Sequence, residues 1–231
     1  MNESFEAYSS EHALPLVVLA VTGFLWFRWA SRQGIRVQRC SSFYLSLILP
    51  LLIVIDMMRG WIDGSFQVDT DLPLHMCRLA AFVVPIMLLQ KSRPIFGVLY
   101  FWILAGTLQA IITPDLSEGF PTYPYVRYWL LHAGLVVMIC FPLVVYRFRP
   151  TWRDLWNAVW TAQIYLLLSL PINSWLGSNY GYTMYKPPVA SIADLMGPWP
   201  WYILAGEVIM IVLFLLLLLP FLGRIRQLES A

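Results

Sequence analysis

The chain has 231 residues, of which 59% are hydrophobic and only 12% charged. Soluble domains carry about a quarter charged residues, so the composition excludes an ordinary soluble domain and points to a membrane protein. The formal charge of +2 gives no reason to invoke nucleic acid, and it hides a strong sorting of charge along the chain.

A membrane span needs roughly 20 apolar residues. Seven runs reach or approach that length, at 13–30, 43–62, 72–90, 94–113, 125–146, 155–175 and 200–222. Only Gln90 to Arg93 separate the third from the fourth. Backbone N–H and C=O groups find no water in lipid, so such runs must close their hydrogen bonds internally as helices. Neither a polar linker nor an internal repeat divides the chain, and 1–231 reads as a single transmembrane domain. The expected fold is all-α, a polytopic membrane bundle of seven transmembrane helices.

The connectors alternate in charge. Arg28, Arg32, Arg36 and Arg39 flank the first connector, Lys91 and Arg93 the third, and Arg147, Arg149 and Arg153 the fifth, with Arg224 and Arg226 in the tail. The other segments are acidic: Glu3, Glu6 and Glu11, then Asp63, Asp69 and Asp71, then Asp115 and Glu118. Positive segments face the cytoplasm, which predicts the N-terminus outside and the C-terminus inside. The basic loops then meet anionic headgroups. The N-terminus lacks the basic region of a signal peptide, so the first span is expected to be retained. The long aromatic sixth connector, Leu176 to Pro198, is expected to cap the outer mouth.

Three cysteines fall at different depths: Cys40 in a cytoplasmic loop, Cys140 deep in the fifth span and Cys77 near the outer end of the third. Cysteines so far apart cannot pair, so no internal disulfide is expected.

The scarce polar residues of the spans gather toward their outer ends: Cys77, Arg78, Gln109, Arg127, His132, Asn173 and Glu207. Polar groups do not face acyl chains cheaply, so they are expected to turn inward and to mark a functional cavity. Gly106, Gln109 and Thr113 share one helix face by their spacing, and Asn157, Thr161, Tyr165, Ser169 and Asn173 form a slanting seam. Pro171 is expected to open the helix beside Asn173. Asp56 and Arg59, three apart, can pair.

Each candidate has two readings. Cys77 is either a small buried hydrophobe or a nucleophile near a helix N-terminus and a cation. His132 is either a satisfied core histidine or a general base for Cys77. Arg78 and Arg127 either snorkel to the interface or hold a phosphate headgroup. Gln109, Asn173 and Glu207 either satisfy one another or line a polar cavity, the first two as oxyanion donors. A zinc set from His75, Cys77, His132 and Glu207 runs against ligand geometry, because residues two apart on a helix diverge by roughly 200°. No metal and no soluble cofactor is expected.

Four strings carry a resemblance: LPLHMCRLA (Leu72–Ala80), GTLQAIITPDL (Gly106–Leu116), GSNYGYTMYKP (Gly177–Pro187) and LMGPWPWY (Leu195–Tyr202). With their spacing intact, they make the chain resemble the bacterial YwaF family, which is related to the eukaryotic transmembrane protein 164. The resemblance implies a multi-spanning, acyl-handling enzyme of the bacterial cell membrane, and the charge pattern is expected to place its site on the extracytoplasmic side. The eukaryotic relative is described as a phospholipid acyltransferase that uses a membrane-embedded cysteine with a histidine partner. Carried over, the nucleophile is Cys77 and its partner His132. The expected function is a lipid acyltransferase or transacylase working through an acyl-cysteine, with a phospholipid donor and a lysophospholipid acceptor as its partners. A lipid-ester hydrolase on the same site, and a non-catalytic binder or transporter of a small amphiphile, are the alternatives.

Overall fold

Proline and glycine decide where the apolar runs begin, bend and end. The computed structural model describes residues 5–187 and 192–223. Glu3, Arg224 and Arg226 of the charge pattern lie outside the described residues, as do residues 188–191 of the sixth connector. Helix α1 is Ser10–Ala30. Its Pro15 has no N–H for the Glu11 carbonyl, and the Tyr125 hydroxyl donates to that carbonyl instead, at 2.5 Å.

Helices α2 (Ile35–Ser46) and α3 (Ile48–Asp63) form one 29-residue rod. The expected loop up to Ser42 is therefore mostly helix, and Cys40 lies on it. Arg39 explains the gain. Its Nε and Nη2 donate to the Leu89 carbonyl at 2.8 and 2.6 Å, which ties α2 to the C-terminal end of the third predicted span. The rod breaks at Leu47 because Pro50 offers no donor to the Ser46 carbonyl.

The third predicted span is shorter than expected. Helix α4 is Met76–Gln90, 15 residues, or about 22 Å against a hydrocarbon core of about 30 Å. Residues 72–75 form a turn, with the Leu74 N–H on the Leu72 carbonyl at 2.8 Å. Pro73 disfavours helical backbone before it, and His75 is extended at φ −65°, ψ 142° as the N-cap. The fourth span comprises α5 (Arg93–Trp102), a π turn (Ile103–Thr107) and α6 (Leu108–Ile112). Then follow α7 (Tyr123–Val144), α8 (Trp152–Leu176) and α9 (Trp201–Leu218). A reciprocal cap between Thr151 and Asp154 starts α8. Pro171 does not open α8, which runs unbroken to Leu176. The proline is exposed, and one lost bond is tolerated in a helix of 25 residues.

Among the described residues, seven rods make the fold, six of them long and apolar enough to cross a membrane and the seventh, α4, shorter. Lipid is as apolar as leucine, so close packing and interhelical hydrogen bonds hold such a bundle. Gly97 lets α5 approach α8 so closely that a Cβ there would sit 2.2 Å from Asp154 Oδ1. Arg93 donates to the same carboxylate at 2.8 Å. Trp102 Nε1 donates to the Ala158 carbonyl at 3.0 Å, and the Tyr100 hydroxyl to the Leu217 carbonyl at 3.0 Å. Phe101, Leu135, Ile139, Phe141 and Phe214 fill the core between. The open face of α8 carries Trp156, Trp160, Ile164, Leu167 and Leu168, all exposed, as a lipid-facing helix requires.

Candidate functional site

A cavity of about 630 Å³ lies at the end of the bundle where α4 starts. Its walls come from the start of α4, the π turn and α6, the first half of α7, α8 and the start of α9, and Gly181 to Thr183 roof it. His75, Cys77, Arg78, Gln109, Arg127, His132 and Glu207 all line it, with Gly106 and Thr113 from the predicted face. Asn173 does not.

Cys77 is the second residue of α4, nearer the helix N-terminus than the sequence suggested. The first-turn amides have no partner within the helix, and their dipoles favour a developing anion there. Sγ lies 3.6 Å from Thr107 Oγ1, in the π turn. Such turns insert one extra residue into a helix and frequently mark functional sites.

His132 holds its ring by a contact within α7. Nδ1 is 2.9 Å from the Tyr128 carbonyl. A carbonyl only accepts, so Nδ1 carries the proton and the lone pair belongs to Nε2. The Tyr128 ring packs on the imidazole with centroids 4.2 Å apart. His75 is fixed in the opposite sense. The Gly181 N–H donates to its Nδ1 at 3.3 Å, so in neutral His75 the proton is on Nε2. Tyr180 and Tyr182 flank the His75 ring, with centroids at 5.3 and 5.4 Å. One imidazole offers an acceptor nitrogen and the other a donor.

The arginines divide their work. Arg78 Nη1 donates to the carbonyls of Thr70, Asp71 and Leu72 at 3.2, 3.0 and 3.4 Å, which clamps the turn leading into α4. Arg127 Nη1 donates to Asp56 Oδ2 at 2.5 Å, while its buried Nε has no partner among the described residues. Asp56 therefore pairs across helices with Arg127 rather than with Arg59. Arg59 instead lies over the Tyr123 ring, 4.1 Å from its centroid. Glu207 accepts from Gln163 Nε2. Gln109 returns one N–H to the Ala105 carbonyl at 3.2 Å.

Asn173 serves the roof instead. Its Nδ2 donates to the Tyr180 carbonyl at 2.9 Å and to Thr183 Oγ1 at 2.8 Å. Its Oδ1 accepts from Ser178 Oγ at 2.7 Å and from the Tyr180 N–H at 2.8 Å. All four positions of the amide are used to fold the roof, so none remains for an oxyanion. Of the predicted seam, Tyr165 lines the cavity, whereas Asn157 faces outward and Thr161 bonds its own helix at the Asn157 carbonyl.

Some residues that shape the site were not singled out for a role by the sequence, Thr107 beside Cys77 first among them. Thr107 is one threonine among many, and nothing in the string GTLQ announces a π turn. Tyr165 donates to the Leu74 carbonyl at 2.9 Å, and Tyr180 to the Val68 carbonyl at 2.6 Å, which pins the segment before α4. Burial pushes the Tyr182 phenol above its ordinary value, so it lines the cavity as a neutral hydroxyl. Among the described residues, no group of three or more His, Cys, Asp or Glu side chains is placed to hold a metal ion.

The fold and cavity define a polytopic integral membrane protein with a polar chamber among its helices. The chain belongs to the TMEM164 family, whose model matches residues 7–218. The motif strings suggested the YwaF family, related to transmembrane protein 164, and the match supports membership at the level of the TMEM164 family. The chain is also similar to an uncharacterized protein of Treponema pallidum (strain Nichols), 28% identical over 165 residues, which cover 71% of this chain and 68% of that protein. No solved structure matches.

Proposed function

We propose that the protein is a membrane-embedded lipid acyltransferase or transacylase, with Cys77 as nucleophile and His132 as its base. One observation carries the reading: Cys77 and His132 line the same cavity, and Nδ1 of His132 is occupied by the Tyr128 carbonyl, which leaves Nε2 to accept a proton.

In the first step His132 Nε2 takes the Cys77 thiol proton and Sγ attacks the ester carbonyl of a donor phospholipid. A C–S bond forms and the carbonyl becomes an oxyanion. The intermediate collapses, the ester C–O bond breaks, and the departing lysophospholipid takes the proton from His132. In the second step His132 deprotonates an acceptor hydroxyl, which attacks the thioester. The new C–O bond forms, the C–S bond breaks, and the thiolate recovers its proton. Splitting one transfer into two is the usual gain of covalent catalysis. The α4 first-turn amides, His75 Nε2–H and the second N–H of Gln109 are the donors the cavity offers to an oxyanion. Arg127, whose Nε has no partner among the described residues, suits the donor phosphate. The charge pattern supports a site on the extracytoplasmic side, where an acyl donor already in the bilayer is at hand.

The test is the intact mass of protein incubated with a labelled phospholipid donor, before and after neutral hydroxylamine, beside Cys77→Ser and His132→Ala. The expected result is an acyl adduct on the wild type that hydroxylamine removes and Cys77→Ser lacks, with the label passing to a lysophospholipid. Release of free fatty acid alone would make the protein a hydrolase. Neither adduct nor transfer would leave the cavity as a binding or transport site.

A further inference from the structure

A second cavity, of about 350 Å³, adjoins the first and shares Cys77, Gly106, Gln109 and Gly206 with it. Its polar side chains, Cys77, Thr107 and Gln109, belong to the two segments that meet at the nucleophile. Beyond them the walls are Trp102, Ile103, Ile209, Leu213 and Phe214, and Phe214 is fully buried against Phe101 at 5.1 Å between ring centroids. Cys77 thus stands where a polar chamber meets an apolar one.

Gly106 and Gly206 sharpen the point. A glycine inside a helical segment is less favourable than alanine. In membrane bundles that cost is usually offset by close helix packing, or by a backbone with positive φ. Neither applies: a Cβ at Gly106 or Gly206 would meet nothing within 4 Å, and neither glycine has positive φ. Both instead border both cavities, one in the π turn and one on α9. The space they leave empty thus borders both chambers.

We propose that the apolar chamber is the acyl-chain slot of this site, entered between Gly106 and Gly206 and closed by Leu213 and Phe214, so that these residues set the chain length accepted. The proposal rests on the acyl-transfer reading. With the carbonyl carbon at Sγ, the chain runs down α9 while the headgroup stays with the polar side chains. A long chain desolvates along the slot, and each methylene that fits or clashes changes discrimination by about tenfold or more.

The experiment compares dioctanoyl and dioleoyl phosphatidylcholine as donors to protein in nanodiscs. It also maps the crosslinks of a photoreactive fatty acid by peptide mass spectrometry. Gly206→Leu is expected to lower the ratio of oleoyl to octanoyl transfer about tenfold, and Leu213→Ala to raise it. The wild-type crosslink is expected on α9 between Gly206 and Phe214, and to be lost in Gly206→Leu. Gly106→Leu narrows the proposed entrance from the π turn and serves if Gly206→Leu does not fold. An unchanged ratio in a folded variant, or a crosslink that maps away from α9, overturns the slot while wild-type transfer still supports the enzyme. A crosslink on α9 that Gly206→Leu removes, without transfer in the wild type, supports the slot and sinks the enzyme.

Discussion

Gly181 and His75 are 106 residues apart, yet the Gly181 N–H donates to His75 Nδ1 at 3.3 Å. The roof of the cavity is thereby joined to the residue that caps α4, two positions before Cys77. Gly181 has φ +71°, and a Cβ there would lie 2.5 Å from the Tyr165 hydroxyl. That hydroxyl in turn holds the Leu74 carbonyl.

Gly181→Ala is therefore expected to do two things at once. The left-handed backbone costs about 1 kcal/mol for an L residue, and Tyr165 must move, which releases the turn that presents Cys77. We expect a lower melting temperature in detergent, faster proteolysis within residues 176–187, and a fall in acyl transfer. Unchanged proteolysis with lost transfer would separate roof from catalysis and sink this coupling.

His132→Gln removes the proton-accepting nitrogen while keeping a polar side chain at the position. General-base catalysis contributes about 10²–10⁴ in rate. Formation of the acyl-cysteine, followed by quenched-flow mass spectrometry, is expected to slow by that order with little change in thermal stability. A variant that acylates at the wild-type rate would assign the base elsewhere.

The seven apolar runs were legible because lipid demands them, and the polar side chains near one end of the spans pointed to most of the residues that line the cavity. Local geometry was not legible. The start of α4 at Met76 rather than Leu72 depends on Pro73 acting together with Tyr165 and Tyr180, both far away in sequence. The π turn that carries Thr107 to Cys77 has no compositional mark. Asp56 and Arg59 have the spacing of a helix pair, but Arg127 on α7 outcompeted Arg59 because a cross-helix partner is invisible to spacing along one helix. Asn173 is buried as expected but folds the roof rather than facing the cavity, because depth in the membrane says nothing about which way an amide points.

The Asp56–Arg127 pair is open to a double-mutant cycle. The side chains are 30% and 26% exposed, so the coupling is expected at about 1–2 kcal/mol, below that of a fully buried pair. Asp56→Asn frees the guanidinium and Arg127→Gln removes it. If Arg127 holds the donor phosphate, Arg127→Gln raises KM for phospholipid, whereas Asp56→Asn changes stability and leaves KM less affected. Equal KM effects in both variants would make the arginine purely structural.

Asn173 gives the converse prediction, an effect on folding rather than on chemistry. Asn173→Leu keeps the volume but strands the Tyr180 carbonyl and N–H together with the hydroxyls of Ser178 and Thr183, in a place where Asn173 itself is 1% exposed. Each buried group left without a partner costs about 1–3 kcal/mol. Some will find one another, so the expected loss is about 3–5 kcal/mol, or about 10 °C in melting temperature. Because Asn173 does not line the cavity, protein that remains folded at low temperature should form the acyl-cysteine at close to the wild-type rate. A variant of unchanged stability that fails to acylate would return Asn173 to the oxyanion site.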